Sequence, residues 1–317
     1  MPTRRELLLA LGALAVPLAG AAQQGRVPRL GYLDVANVEP ALGFFREGLR
    51  ELGYIEGKNL RIEVRSAEGK PGALPGLAEE LVGMKVDIIV AIQTQAVQAA
   101  QQATGSIPIV MSAGDPVGTG LVPNLARPGG NITGRSGTTV EISAKMLELF
   151  REIRPALRSV AVLANVADPF TKPFLEQIRS AGKALGMEIR PAMVRGPEEF
   201  DAVFAGWAKS KVDAVIIQPS LPRGPAIELA LRHRFLSASP IVPFAAAGGL
   251  IAYAANVKEQ YRQLANYVDK ILKGAKPADL PVEQPTVFEL AVNLKTARAI
   301  GVTIPQVVLF RANQVIE

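Results

Sequence analysis

The sequence predicts an α/β protein built as two doubly wound, parallel-sheet lobes. From Val27 onward, short apolar runs alternate with segments of helical spacing, the order expected of a parallel sheet with helices on both faces. The pattern then starts again, so that "VDIIV" at 86–90 has a counterpart in "VDAVI" at 212–216. The 317 residues also suit two cores of about 100–150 residues better than one.

The elements follow in order. "RLGYLDV" (29–35) reads as a strand, and "PALGFFREGLRELG" (40–53) as a helix, with Leu42, Phe45, Leu49 and Leu52 at threes and fours and Gly53 placed to end it. "LRIEVRSAE" (60–68), a helix over 74–84, the strand "VDIIVAI" (86–92), a helix over 94–104 and the strand "IPIVMSAG" (107–114) complete the first run. Ile88–Ile92 is apolar without alternation, as in a strand covered on both faces. The second run has a helix at 142–155, then "SVAVLAN" (159–165), a helix through 170–185, "MEIRPAMV" (187–194), a helix at 198–210, "VDAVIIQP" (212–219), a helix at 223–236 and the strand "SPIVPFA" (239–245). Phe200, Val203, Phe204 and Trp207 lie at helical spacing and read as core. A helix from about Val257 to Lys273 and a proline-spaced segment then tie the lobes together. Crossings are expected near Gly134–Gly137, Ala252–Asn256 and Pro281–Pro285, which divides the chain into an export signal (1–21), lobe one (22–136 and 254–282) and lobe two (137–253 and 283–317). Three short linkers would permit closure over a ligand.

The N-terminus reads as an export signal, with Arg4 and Arg5, an apolar run from Leu7 to Leu18 and Ala19-Gly20-Ala21 in the A-x-A form that a signal peptidase cuts. The Thr-Arg-Arg start resembles a twin-arginine signal. The apolar run is too short for a stable membrane anchor, and the lack of any cysteine leaves nothing for a lipoprotein anchor. Its removal takes away only Arg4, Arg5 and Glu6 among charged residues, so the exported, periplasmic chain stays mildly basic.

Composition narrows the chemistry. Without cysteine there is no thiol nucleophile, thiolate metal site or disulfide. The one histidine, His233, sits between Arg232 and Arg234 on a predicted helix, where a triad or histidine-ligated metal has no orienting partner. Neither a catalytic residue, a metal nor a cofactor is expected. The charge of +6 is scattered and aromatics are only 5%, so the basic, aromatic-interleaved stripe of a nucleic-acid binder is missing. Glu79-Glu80 and Glu198-Glu199 are sequence neighbours on helices and read as solvated faces.

The glycine-rich stretch "SAGDPVGTGLVPNLARPGGNITG" (112–134) invites a phosphate-loop reading. A dinucleotide fingerprint needs G-x-G-x-x-G after the first strand; here Pro123 stands where the third glycine belongs, and the loop follows the fourth strand. It reads instead as the rim of a cleft at the carboxyl ends of the strands, where open α/β sheets bind ligands.

These residues resemble a known family. "DPVGTGLVPNLARPGGNITG" (115–134), "GYLDV" near the mature start, "YRQLANYVDKILKGAKPADLPVEQPTVFELAVNLKTARAIGVTIP" (261–305) and the closing "RANQVIE" are similar to ABC-transporter substrate-binding proteins, the family that includes tryptophan-binding transport proteins. The resemblance runs through nearly the whole mature chain. It implies the type I periplasmic-binding fold, two lobes on a three-segment hinge with ligand between them, and delivery to a membrane permease and its ATPase, without catalysis. Two positions depart from the family pattern: Gln93-Thr94-Gln95 stands where Gly-Thr-Pro is common, and Ala252-Tyr253-Ala254-Ala255 where Ser-Tyr-Gly-Pro is frequent.

Candidate ligand contacts follow from the strand ends. Lobe one offers Asp34, Gln93, Thr94 and Asp115, lobe two Asn165, Asp168, Phe170, Gln218 and Ser220, and the crossings Ser136, Thr138 and Tyr253. For an amino acid, Asp115 and then Asp168 suit the ammonium, and the amides where Thr94-Gln95 opens a helix suit the carboxylate. Tyr32, Phe170 and Tyr253 are candidates for stacking on an apolar or aromatic side chain. The expected role is a monomeric solute-binding component that takes an amino acid or aromatic carboxylate. The alternatives are a periplasmic sensor reporting to a membrane receptor and, less favoured, an exported Rossmann-like enzyme.

Overall fold

The computed structural model describes residues 26–36, 39–137 and 140–317; the expected export signal and the candidate Thr138 lie outside them. Lobe one opens with β1 (Arg29–Asp34), α1 (Ala41–Glu51), β2 (Arg61–Ser66), α2 (Leu74–Gly83), β3 (Ile88–Ile92), α3 (Thr94–Ala103), β4 (Ile109–Ala113) and β5 (Ile132–Ser136). The chain then passes into α4 (Val140–Ile153), β6 (Ser159–Asn165), α5 (Thr171–Ala184), β7 (Glu188–Val194), α6 (Phe200–Lys209), β8 (Ala214–Ile217), α7 (Arg223–Arg232), β9 (Leu236–Ser239), α8 (Pro243–Ala246) and β10 (Ile251–Ala255). It ends with α9 (Val257–Leu272), β11 (Phe288–Asn293), α10 (Leu294–Ile300), α11 (Gln306–Arg311) and β12 (Gln314–Ile316).

Two sheets result. The first runs β2-β1-β3-β4-β5 and the second β12-β11-β10-β9-β8-β6-β7. Every pairing in the first is parallel. The uniformly apolar β3 and β4 lie at its centre, buried at every position, because helices cover both faces. One face packs against α2 and α3 through residues such as Leu81, Ala96 and Val97. The other packs against α1 and α9 through Phe45, Leu49, Tyr261 and Leu264. The second sheet is sandwiched in the same way, and Phe200, Phe204 and Trp207 are buried in its core as the helical stripe predicts.

Gly134 explains part of the glycine-rich stretch. It sits within β5 at φ 135°, and a Cβ there would overlap the backbone of Met111 on β4. Glycine therefore lets β5 pair closely, so the end of the 112–134 stretch, read from sequence as cleft rim, is a strand.

Two further expectations are corrected. The predicted strand at 239–245 is instead the end of β9 followed by α8, with the preceding helix stopping at Arg232. Pro240 and Pro243 cannot donate to a ladder, and Pro243 opens the helix. The second sheet is also not wholly parallel, since β10 and β11 pair antiparallel. The chain leaves β10 for α9, which packs on α1 in the first lobe, and returns straight into β11 from the same side. A strand re-entering where its predecessor left must run the opposite way.

Candidate interlobe site

The carboxyl ends of the strands in the two sheets face one another, and the lobes touch there. Phe170, just before α5, lies against Gly114 after β4; a Cβ on Gly114 would come within 2.8 Å of the ring. Gln177 Nε2 of α5 donates to Asp115 Oδ2 at 3.4 Å, and Gln95 Nε2 of α3 donates to the Ala167 carbonyl at 3.3 Å. The amide oxygens of both glutamines are buried without a partner. A buried acceptor left unpaired is costly, about 1–3 kcal/mol, and here two of them flank the seam from opposite lobes.

Lobe two presents a closed polar network. Gln218, fully buried, accepts from the Asn165 amide and from Thr171 Oγ1 through Oε1 (2.8 and 2.9 Å) and donates through Nε2 to Asp168 Oδ2 at 2.8 Å. The Asn165 carbonyl is the second acceptor within reach of the Thr171 hydroxyl, whose single proton the two oxygens share. Asn165 Oδ1 accepts from the Ala167 amide, and Asp168 Oδ1 from the Phe170 amide. Ser220 lies beside the Asp168 carboxylate. Desolvation raises the Asp168 pKa against the pull of these hydrogen bonds, since burial disfavours the charged form.

Lobe one is held differently. Asp34 ends β1 nearly fully buried, its Oδ1 accepting from the Ala36 amide at 3.1 Å, and burial pushes its pKa up to about 7. Gln93, between β3 and α3, sits at φ 71° and ψ 151°, and Asp115, after β4, at φ 35°. Thr94 Oγ1 reaches the Gly114 carbonyl at 3.5 Å. Both Asp115 oxygens are engaged, Oδ1 by the Gly118 amide and Oδ2 by Gln177. Asp115, placed first for a ligand ammonium, is thus spent on its own turn and on the other lobe; Asp168 is also bonded through both oxygens, but to its own lobe, within a network that positions it.

Asp34, Gln93, Thr94, Asp115, Asn165, Asp168, Phe170, Gln218 and Ser220 all belong to the facing strand ends. Ser136 lies at the first crossing, its amide donating to the Glu283 carbonyl. The two candidate tyrosines lie apart. Tyr32 is fully buried with its ring against Phe45 (centroids 5.9 Å) and its hydroxyl toward Tyr261 and Asp34, so its ring is core. Tyr253 stacks on Phe288 at 5.8 Å, with Lys145, Glu148 and Arg311 around it, on the α4 side of its sheet. His233 caps the end of α7 and stacks with Phe204 and Phe235.

The sequence reading missed the side chains of Gln95 and Gln177. Helical spacing held a signal for the second: Phe170, Phe174 and Gln177 recur at fours and threes, which aligns them on one face. Among the described residues no group of His, Cys, Asp and Glu is arranged to hold a metal ion, and no helix is long and apolar enough to cross a membrane.

Comparison with known proteins bears on this geometry. The family model described as ABC transporter substrate binding protein matches residues 38–316. A tyrosine-binding protein of Clostridioides difficile (strain R20291) is 26% identical over 262 residues, covering 81% of this chain and 75% of that protein. Two solved structures superpose over 92% of this chain and all of theirs. One is a conserved domain protein of Vibrio cholerae O1 biovar El Tor (27% identity, TM-score 0.84), the other an ABC domain from Streptococcus pneumoniae in complex with L-Trp (26% identity, TM-score 0.83).

Proposed function

From the premise that the chain belongs to the ABC transporter substrate-binding family and has the type I periplasmic-binding fold, we propose that it is the exported, periplasmic component of an importer. In this reading it takes an amino acid or a related aromatic ligand between its lobes, closes over it on three crossing segments, and hands it to a permease with an ATPase. It performs no catalysis.

The observation that carries the reading is the polar seam, where Gln95 and Gln177 reach across from opposite lobes to the Ala167 carbonyl and the Asp115 carboxylate, next to the lobe-two rim that holds the buried Asp168. A ligand ammonium suits the Asp168 carboxylate, supplying a positive charge where burial disfavours the anion. The first-turn amides of α3 have no partner within the helix and suit the ligand's carboxylate. Phe170 supplies apolar contact beside them. Relatives that bind tyrosine and L-Trp fit a pocket with this division of labour.

A thermal-shift screen of residues 22–317 against amino acids, aromatic carboxylates, sugars and nucleosides tests the proposal. A ligand at about a thousand times its dissociation constant adds about 4 kcal/mol to stability, which raises the melting temperature by several degrees. A rise confined to amino acids and their aromatic relatives, and lost in Asp168→Asn, is the expected result. A rise only with sugars or nucleosides overturns the ligand class.

A further inference from the structure

Two side-chain hydrogen bonds join the lobes across the seam, and each lobe supplies one donor and one acceptor. Gln95, in the first turn of α3 on lobe one, donates through Nε2 to the Ala167 carbonyl of lobe two at 3.3 Å. Gln177, on α5 of lobe two, donates through Nε2 to Asp115 Oδ2 of lobe one at 3.4 Å. Both acceptors are held in place by their own lobes. Asp115 Oδ1 accepts from the Gly118 amide at 2.9 Å. The Ala167 amide donates to Asn165 Oδ1 at 2.9 Å, at the edge of the buried lobe-two network. Gly114, the neighbour of Asp115, adds the apolar contact with Phe170.

The donors are of another kind. Gln95 and Gln177 are half-exposed and lie outside the apolar clusters that form the two cores. Both bonds are long for N–H···O contacts, so they can be given up without disturbing either lobe. Both also join protein to protein, so their contribution to closure is the same whatever the cleft holds. A bond made only when the lobes meet favours that arrangement over every other. The apparent dissociation constant of a ligand is its intrinsic value divided by the fraction of molecules in the binding-competent arrangement. A bond that touches no ligand can therefore set affinity.

We propose that Gln95 and Gln177 form an interlobe clasp, a pair of positioning residues that sets how often the lobes close and so tunes ligand affinity without contacting the ligand. The clasp rests on the hinge closure proposed above but not on the class of ligand. Its Gln177 half responds to charge, because the acceptor is the Asp115 carboxylate: a cation at 177 strengthens the contact and an anion turns it into repulsion.

The test reads the chain 22–317 in buffer, with no ligand added, as the distance between spin labels at Lys70→Cys and Arg195→Cys. These exposed positions follow β2 and β7, on the edges of the two sheets far from the crossings, and the cysteine-free sequence gives no background labelling. Gln95→Met removes one donor at similar volume, Gln177→Glu sets a second carboxylate against Asp115, and Gln177→Lys sets an ammonium there. Gly114→Trp drives a ring against Phe170 and marks the open distance. The parent should show both short and long distances. The ratio of short to long should fall about threefold in Gln95→Met and about tenfold in Gln177→Glu, and rise in Gln177→Lys. Opposite responses to opposite charges at one position do not arise from lost packing. If Gln177→Glu does not fold, Gln95→Met and Gln177→Lys decide. A parent that shows only the open distance, or clasp variants that match the parent while Gly114→Trp moves, overturns the clasp and leaves hinge closure standing. If Gly114→Trp also matches the parent, the closure reading falls and the clasp with it.

Discussion

The two rims that meet at the seam are positioned by opposite means. On lobe two, Asn165, Asp168, Thr171 and Gln218 satisfy one another in a buried network centred on a single glutamine. On lobe one, the ends of β3 and β4 are turned by non-glycine residues at positive φ, Gln93 and Asp115. Asp34 is compensated chiefly by amides of its own turn. A satisfied network is rigid and fails as a unit when one member is lost. A strained turn stores energy and releases it when the residue changes. The comparison teaches that one half of the site is preorganised by side-chain bonding and the other by backbone conformation, so their substitutions should behave differently.

The largest effect is expected at the centre of the network. Gln218→Ala leaves the Asp168 carboxylate, the Thr171 hydroxyl and the Asn165 amide without their shared partner. It should lower unfolding free energy by about 3 kcal/mol, read from the urea midpoint at unchanged slope, and abolish ligand-induced stabilisation. A loss under about 1 kcal/mol would mean that the rim tolerates its own disconnection and that the contrast between the lobes is wrong.

Next comes the contact between the rims. Gly114→Ala places a methyl group against the Phe170 ring and so opposes the approach of the lobes, while each lobe keeps its own core. Affinity for the cleft ligand should fall about tenfold, equivalent to about 1.4 kcal/mol, with unfolding little changed. Adding Phe170→Ala removes the clash, so the double variant should lose less than the two single losses combined. Strict additivity in calorimetric titrations would sink the idea that these two residues meet on closure.

The buried carboxylate of lobe one sharpens the comparison through pH. Asp34 has a folded pKa raised to about 7 from 3.8, so between those values the folded state holds a proton that the unfolded state has lost. Its contribution to stability is therefore fully present below about pH 4, declines as pH rises toward 7 and is gone above it. The decline approaches 1.4 kcal/mol per pH unit at most. Asp34→Asn should flatten the pH dependence of the urea midpoint between pH 4 and 7 relative to the parent chain. Parallel profiles for the two proteins would show that Asp34 keeps its ordinary pKa in the fold.

Much of the fold was legible because its signals are local. The apolar runs of β3, β4, β6 and β8 and the helical spacing of α1 and α9 each declare their partner face within a few residues. What escaped depends on residues far apart in sequence. Tyr32 looked available because Asp34, two residues on, ends the same strand. Both side chains point to one face, and α9, from the far end of the chain, covers the deeper of the two. The direction of β11 was invisible because it is set by where the chain re-enters the second lobe. Gln95 and Gln177 are ordinary helical glutamines until the lobes meet. The prolines at 240 and 243 were a local signal misread, as they break a strand that the flanking apolar residues suggest.

The smallest expected effect tests the strained side directly. Gln93 occupies φ 71° and ψ 151°, close to a region that only glycine enters without cost. A glutamine held there costs about 1–3 kcal/mol, whereas glycine gives back part of that gain through the greater freedom of its unfolded chain, about 0.4–1 kcal/mol. Gln93→Gly should therefore stabilise the protein by about 1 kcal/mol, seen as a higher urea midpoint. In the lobe-two network a substitution to glycine can only remove bonds. If Gln93→Gly instead destabilises, the glutamine side chain makes a contribution at the rim larger than the strain of its backbone, and lobe one too is organised by its side chains.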